Sequence, residues 1–159
     1  MDDVALANYQ AGIDFSNVEA GRLDRACADL FGLTVGTPIW FSDYTFLKLR
    51  QRHGEINFSH YRHMPSILLH GFLARGRKAN LLDFWWIKSR QEDPPGFFVV
   101  LKATRKSEVF VETFHPIHLR EARRLLKLAT AQGRLIRAQL NADRLLQIGT
   151  DHLRKKDKA

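Results

Sequence analysis

Residues 97–115 read Phe97-Phe98-Val99-Val100-Leu101-Lys102-Ala103-Thr104-Arg105, then Lys106-Ser107, then Glu108-Val109-Phe110-Val111-Glu112-Thr113-Phe114-His115. Two runs dense in β-branched and aromatic residues flank a short polar pair, which predicts a tight antiparallel hairpin. Lys-Ser is not a favoured two-residue turn pair, so a wider loop is the alternative. With Lys106 and Ser107 as the loop, Arg105 faces Glu108, Lys102 faces Val111 and Val100 faces Thr113. Side chains alternate between faces along a strand. One face then carries Val99, Leu101, Ala103, Phe110 and Phe114, with Glu112 out of place on it. The other face carries Lys102, Thr104, Thr113 and His115. A cation, two hydroxyls and an imidazole suit an anion-handling site. An ordinary solvent-facing sheet surface accounts for them equally well.

Outward from the hairpin, Phe72-Leu73-Ala74-Arg75 and Leu81 to Lys88 also read as extended, so the sheet is expected to have about four strands in an antiparallel meander. Pro65 cannot sit inside a helix without losing a hydrogen bond and is placed at a helix start. Ser16-Asn17-Val18-Glu19 matches a capping box. Leu23, Ala26, Cys27 and Leu30 follow at helical spacing, and Gly32 stops the helix. Thr37 to Phe41 reads as a short extended segment. Ser42-Asp43 then caps a second helix through Phe46, Leu47 and Leu49 to His53, closed by Gly54. After Pro116 an apolar stripe of Leu119, Ala122, Leu125, Leu126 and Ala129 opposes Arg120, Arg123, Arg124 and Lys127, and a further helix is expected over Arg134 to Ile148. The predicted class is α+β: N-terminal helices, a small antiparallel sheet and basic C-terminal helices. One domain spans 1–159, divided into an acidic helical part over 1–36, a core over 38–116, and basic helices with a tail over 117–159.

A length of 159 residues with 45% hydrophobic and 26% charged side chains fits one globular core and excludes intrinsic disorder. No stretch approaches the roughly 18 apolar residues of a membrane span, and Met1-Asp2-Asp3 lacks a basic leader. No membrane association and a cytoplasmic location are therefore expected. The lone Cys27 falls on the apolar face of its helix, as an inert small hydrophobe would. Charge is graded along the chain, with two basic against six acidic residues over 1–30, twelve against seven over 31–116 and eleven against four over 117–159. Such a positive field concentrates polyanions, which makes nucleic acid the leading partner class.

No Walker-type loop or dinucleotide fingerprint occurs, so no cofactor is expected. Seven histidines include His60-Tyr61-Arg62-His63, with His53 and His70 nearby. They lack a His-Glu-x-x-His motif, a cysteine pair and acidic neighbours at His60 and His63, so no metal is expected either. Phe84-Trp85-Trp86 is assigned to the core in preference to base stacking.

Ile39-Trp40-Phe41-Ser42-Asp43, the helix ending Leu49-Arg50-Gln51-Arg52-His53, then Glu55-Ile56-Asn57-Phe58, Met64-Pro65 and the meander together resemble the phage-type barnase/EndoU/colicin/RelE-like nucleases over about residues 38–116. Gly54 stands where many relatives have proline, and the basic C-terminal helices extend past the matched region. The resemblance implies a metal-independent endoribonuclease, a toxin or phage effector that cleaves RNA through attack by the 2′-hydroxyl. It implies His53 as general acid or base, Lys102 as the cation facing the phosphorane, Thr113 as a phosphate-orienting hydroxyl and His115 as a second acid/base group. A helix C-terminus favours protonated His53, and nearby Arg50 and Arg52 oppose it. Arg50, Arg52, Arg75, Arg105, Arg120 and Arg124 are the expected nucleic-acid contacts. An antitoxin or acidic host protein is a further expected partner. The alternative is a non-catalytic module on a nuclease-like scaffold that binds nucleic acid or a host protein.

Overall fold

The structure is a computed structural model that describes residues 17–42, 45, 52, 58–90 and 92–144. Its centre is the hairpin of β5 (Gly96–Ala103) and β6 (Val109–Ile117). The connecting loop is wider than two residues. Ala103 pairs with Val109, the Thr104 N–H donates to the Glu108 carbonyl at 2.8 Å, and Ser107 takes φ of 62°. Two-residue type I′ loops need positive φ at both central positions, a conformation Lys106-Ser107 does not supply. The register beside the loop therefore differs by one from the sequence expectation, and Lys102 faces Phe110, not Val111.

A bulge corrects the offset further along. Leu101 pairs with Val111 and Val100 with Thr113, leaving Glu112 as the extra residue. That extra residue is why Glu112 fits no alternation. It also moves Phe110 onto the face of Lys102 and puts Val109 and Val111 beside Val99, Leu101 and Phe114.

The expected small sheet of about four antiparallel strands is corrected by this architecture. Among the described residues, seven strands form one mixed sheet in the order β1-β2-β6-β5-β4-β3-β7. They include β1 (Asn17–Arg22), β2 (Pro38–Ser42), β3 (Phe72–Arg75), β4 (Leu81–Ile87) and β7 (Leu135–Arg137). β2 and β6 run parallel. β3 to β6 follow one another as antiparallel neighbours, and β1, β2 and β7 are the additions.

Two of the additions come from segments with helical patterning. Residues 17–22 belong to β1, where Val18 pairs with Phe41 and Gly21 with Ile39, so the capping-box reading fails. The helix begins later, as α1 (Arg25–Phe31), where the Asp24 carboxylate accepts the Cys27 N–H at 2.9 Å. Gly32, in the left-handed conformation, ends it where the sequence placed the stop.

At the other end, the expected helix over Arg134 to Ile148 gives way to β7. Gly133 at φ 67° reverses the chain, and Leu135 then pairs with Ala74 and Arg137 with Leu73. Residues 145–159 lie outside the described residues. Sheet-edge pairing outweighs a periodic pattern here because propensity is a weak prior beside tertiary contacts. The expectation of a helical N-terminal part is corrected as well, because among its described residues β1 precedes α1. The other described helices are α2 (Phe58–Tyr61), α3 (Met64–His70, with Pro65 in its first turn) and α4 (Leu119–Ala131).

The two faces of the sheet are covered differently. Against one, α1 and α3 pack Cys27, Ala28, Met64 and Ile67 onto Phe41, Phe84, Val99, Leu101 and Phe114, all buried. Against the other, α4 packs Ala122 and Ala129 over Phe72, Trp85, Ile87 and Ile117. Each such large side chain taken from water contributes about 1.5–3 kcal/mol. Phe84 and Trp85 are core residues, as read from the sequence, and Trp86 is half-buried. Among the described residues no helix is long and apolar enough to cross a membrane.

Candidate nucleic-acid site

Lys102, Thr113 and His115 project from the same face of the β5–β6 ladder, the face α4 packs against elsewhere in the sheet. Lys102 stands opposite Phe110, Thr113 opposite Val100 and His115 opposite Phe98. Lys102 is exposed, while Thr113 and His115 are half-buried. The His115 ring rests against Phe98 with centroids 5.3 Å apart, and its Nδ1 is 3.0 Å from the Pro116 carbonyl oxygen. A proton on Nδ1 donated to that carbonyl leaves Nε2 as the basic nitrogen of the neutral ring.

Lys102 lines an open groove of about 580 Å³ together with Phe31, Asn80, Thr104 and Arg105. The groove forms because the β3–β4 turn is tied to the hairpin. The Ala103 N–H donates to the Asn80 carbonyl at 2.9 Å, and the Asn80 amide donates to the Ala103 carbonyl at 3.3 Å. This brings Arg75, Arg77 and Lys78 to the same end of the sheet as Lys102, Arg105 and Lys106, all of them exposed. Arg134 joins from the β7 side, where its carbonyl accepts the Arg75 N–H at 2.9 Å. Arg134 also lies 3.6 Å from Asp83. Burial raises the Asp83 carboxyl above its usual range, and the Arg134 and Arg77 guanidiniums offset only part of that rise.

The remaining expected contacts are dispersed. Arg120 and Arg124 lie on α4, exposed, with Arg124 3.5 Å from Glu121. Arg52 is exposed. His53 and Arg50, with most of the expected second helix, lie outside the described residues.

Arg77, Lys78, Lys106 and Arg134, which the structure brings to this end of the sheet, were not singled out in the sequence. A signal was present, since Arg75-Gly76-Arg77-Lys78 and Arg105-Lys106 both fall in turns, and turns at matching ends of antiparallel strands share one edge of a sheet.

The opposite end of the sheet holds a second group of titratable side chains. His63 stacks on Phe97 at 5.3 Å and lies 5.4 Å from the Trp86 ring, while His60 lies 5.3 Å from Phe97. The Lys88 ammonium sits 5.5 Å above the same Phe97 ring and 3.5 Å from Glu92, with its side chain only 8% exposed. Burial lowers the His63 pKa below the usual imidazole value. Lys88 and His60 lower it further, and Glu92 opposes them. Among the described residues no group of three potential ligands could hold a metal ion. Cys27 is buried, and its thiol is pushed up to about 12 by burial first and then by Asp24. It is therefore a thiol, not a thiolate, at neutral pH. Comparison with family models, curated proteins and solved structures returns no match.

Proposed function

We propose that this chain is a metal-independent endoribonuclease whose reacting phosphate meets Lys102. The observation that supports the reading is the placement of Lys102 on the lining of an open groove at a strongly basic end of the sheet, with Thr113 on the same sheet face. In the proposed reaction an imidazole takes the proton of the RNA 2′-hydroxyl, and that oxygen attacks the adjacent phosphorus. The bond from phosphorus to the 5′-oxygen breaks, and a second acid returns a proton to the leaving oxygen. The products are a 2′,3′-cyclic phosphate and a 5′-hydroxyl. Lys102 supplies positive charge where the phosphorane gains negative charge. Thr113 orients a phosphate oxygen. His53 is an acid/base group of the proposed reaction, while His115, four strand positions from Lys102 and so roughly 13 Å along the ladder, lies beyond reach of the phosphate that meets Lys102.

The test is incubation of purified protein with a mixed RNA pool in excess EDTA, followed by end analysis of the fragments. Fragments ending in 2′,3′-cyclic phosphate are expected, and a substrate carrying 2′-deoxy sugars throughout should survive. Intact RNA at high protein concentration would remove the catalytic reading. Cleavage that ends in 5′-phosphate would remove the transesterification chemistry. RNA that is bound tightly yet never cut would select the non-catalytic binder.

A further inference from the structure

The cations beside Lys102 fall into two clusters, each on its own turn. Arg77 and Lys78 sit on the β3–β4 turn, and Arg105 and Lys106 on the β5–β6 loop. Both turns are held by backbone hydrogen bonds, Gly76 to Leu81 at 2.9 Å and Ser107 to Thr104 at 3.1 Å, and the Asn80–Ala103 pair locks one turn to the other. The midpoints of the two turns are two strand spacings apart, roughly 10 Å. About three steps of a stacked nucleic-acid strand, at roughly 3.4 Å each, span that distance.

Among the described residues, the carboxylates nearest this end are Glu108, Asp83 and Glu112, the last two standing level with Val100 and Leu101 on the ladder, and Asp83 is already engaged by Arg134. Between the clusters lies the groove, with the Phe31 ring as an apolar wall and Lys102 on its lining.

We propose that Arg77, Lys78, Arg105 and Lys106 form a two-point grip for a single nucleic-acid strand. The strand crosses the loop end of the sheet with its backbone phosphates on the two turns and the intervening nucleotides over the Lys102 groove. The proposal rests on the reading that RNA is the substrate, and it adds where and in what direction the strand runs. A linear polyanion with evenly repeated charge fits two rigid cation clusters better than an acidic protein surface does, because the grip is made by phosphate contacts that position without reading sequence.

The probe is a twelve-nucleotide 2′-O-methyl RNA, which has no free 2′-hydroxyl and so reports binding apart from cleavage. In the variant carrying Arg77→Ala, Lys78→Ala, Arg105→Ala and Lys106→Ala, Kd for the probe should rise at least about 30-fold at physiological salt. The slope of log affinity against log salt should fall by about 2–3, at roughly 0.7 for each phosphate of a single strand that the protein no longer neutralises. A second variant removes the same charge elsewhere, through Arg25→Ala, Arg62→Ala, Arg90→Ala and Arg144→Ala, and should change Kd by less than about threefold.

Equal losses in the two variants would overturn the grip, because net charge would then account for binding. Unaltered affinity and slope in the first variant would overturn it too. So would a wild-type protein that ignores the probe while binding an acidic polypeptide. Cleavage by the wild type is scored separately on natural RNA, so the grip can fail with the nuclease reading intact, and the nuclease reading can fail with the grip intact.

Discussion

Lys102 and Lys88 occupy opposite ends of two adjacent strands, yet their surroundings differ in nearly every respect. Lys102 pairs in register with Phe110 beside an open groove and stands among exposed cations. Lys88 is sunk against Phe97, pairs with Glu92 and shares its ring neighbour with His60 and His63. The same amino acid therefore does two jobs. At the packed end its stem and charge are committed to the protein. At the loop end its charge remains directed toward whatever approaches. A formal charge of +8 says nothing of this division, because a net charge does not distinguish a cation held by a carboxylate and an aromatic face from one presented at the surface.

The packed end is where the fold is most easily broken. Phe97 is fully buried, stacked on Phe114 at 5.2 Å and faced by both imidazoles and the Lys88 ammonium. Phe97→Ala should cost about 3–5 kcal/mol of unfolding free energy in urea titrations. A cost below about 1 kcal/mol would show that the cluster does not hold that end together.

At the loop end the expected loss is catalytic. Lys102→Ala should lower kcat on RNA by about 10²–10³, the loss usual for one preorganised charge-stabilising group. Its stability should change by no more than about 0.5 kcal/mol, as for a surface substitution. A cleavage rate equal to wild type would detach Lys102 from the reaction.

Lys88→Ala reverses that pattern. It removes a packed stem and is expected to lower stability by about 1–2 kcal/mol, with RNA cleavage at the wild-type rate. A cleavage defect as large as that of Lys102→Ala would abolish the contrast between the two ends.

The smallest effect is on pH dependence. Because the folded pKa of His63 is depressed, the unfolded chain binds more protons once the pH falls through the ordinary imidazole range, so acid favours unfolding. The stabilising contribution of neutral His63 is complete above the unfolded imidazole pKa. It is lost progressively as the pH falls from there toward the lower folded value. The Tm of wild type should therefore fall between pH 7.5 and 5 more than that of His63→Phe, which keeps the ring stack without the titration. Parallel Tm curves would show that His63 does not titrate against folding.

What could be read from the chain follows the same division between local and long-range causes. The β5–β6 hairpin, the Gly32 stop, Pro65 at a helix start and the extended runs of β3 and β4 depend on local chemistry, and the sequence shows each of them. β1 and β7 do not, because Val18 and Leu135 join the sheet through partners at Phe41 and Ala74 that no local pattern reveals. The bulge at Glu112 left a trace, a carboxylate on a supposedly apolar face. The alternation rule alone could not turn that trace into a register.

The candidate site divides likewise. Strand alternation sufficed to put Lys102, Thr113 and His115 on one sheet face, though not at one point along it. Gathering Arg77 and Lys78 beside Arg105 and Lys106 required the hydrogen bonds between Asn80 and Ala103, 23 residues apart in the chain. His63 and Lys88 became visible as a pair only through the Phe97 ring between them.

Lysine footprinting tests the central claim, that nucleic acid meets this protein at the loop end of the sheet, most directly. The protein is acetylated briefly with and without saturating 2′-O-methyl RNA, and each lysine is quantified by mass spectrometry. Lys78, Lys102 and Lys106 should react readily in the free protein and be shielded several-fold by the RNA, with Lys88 slow in both samples. Undiminished labelling of Lys102 and Lys106 in the complex, with protection confined to lysines elsewhere, would contradict it.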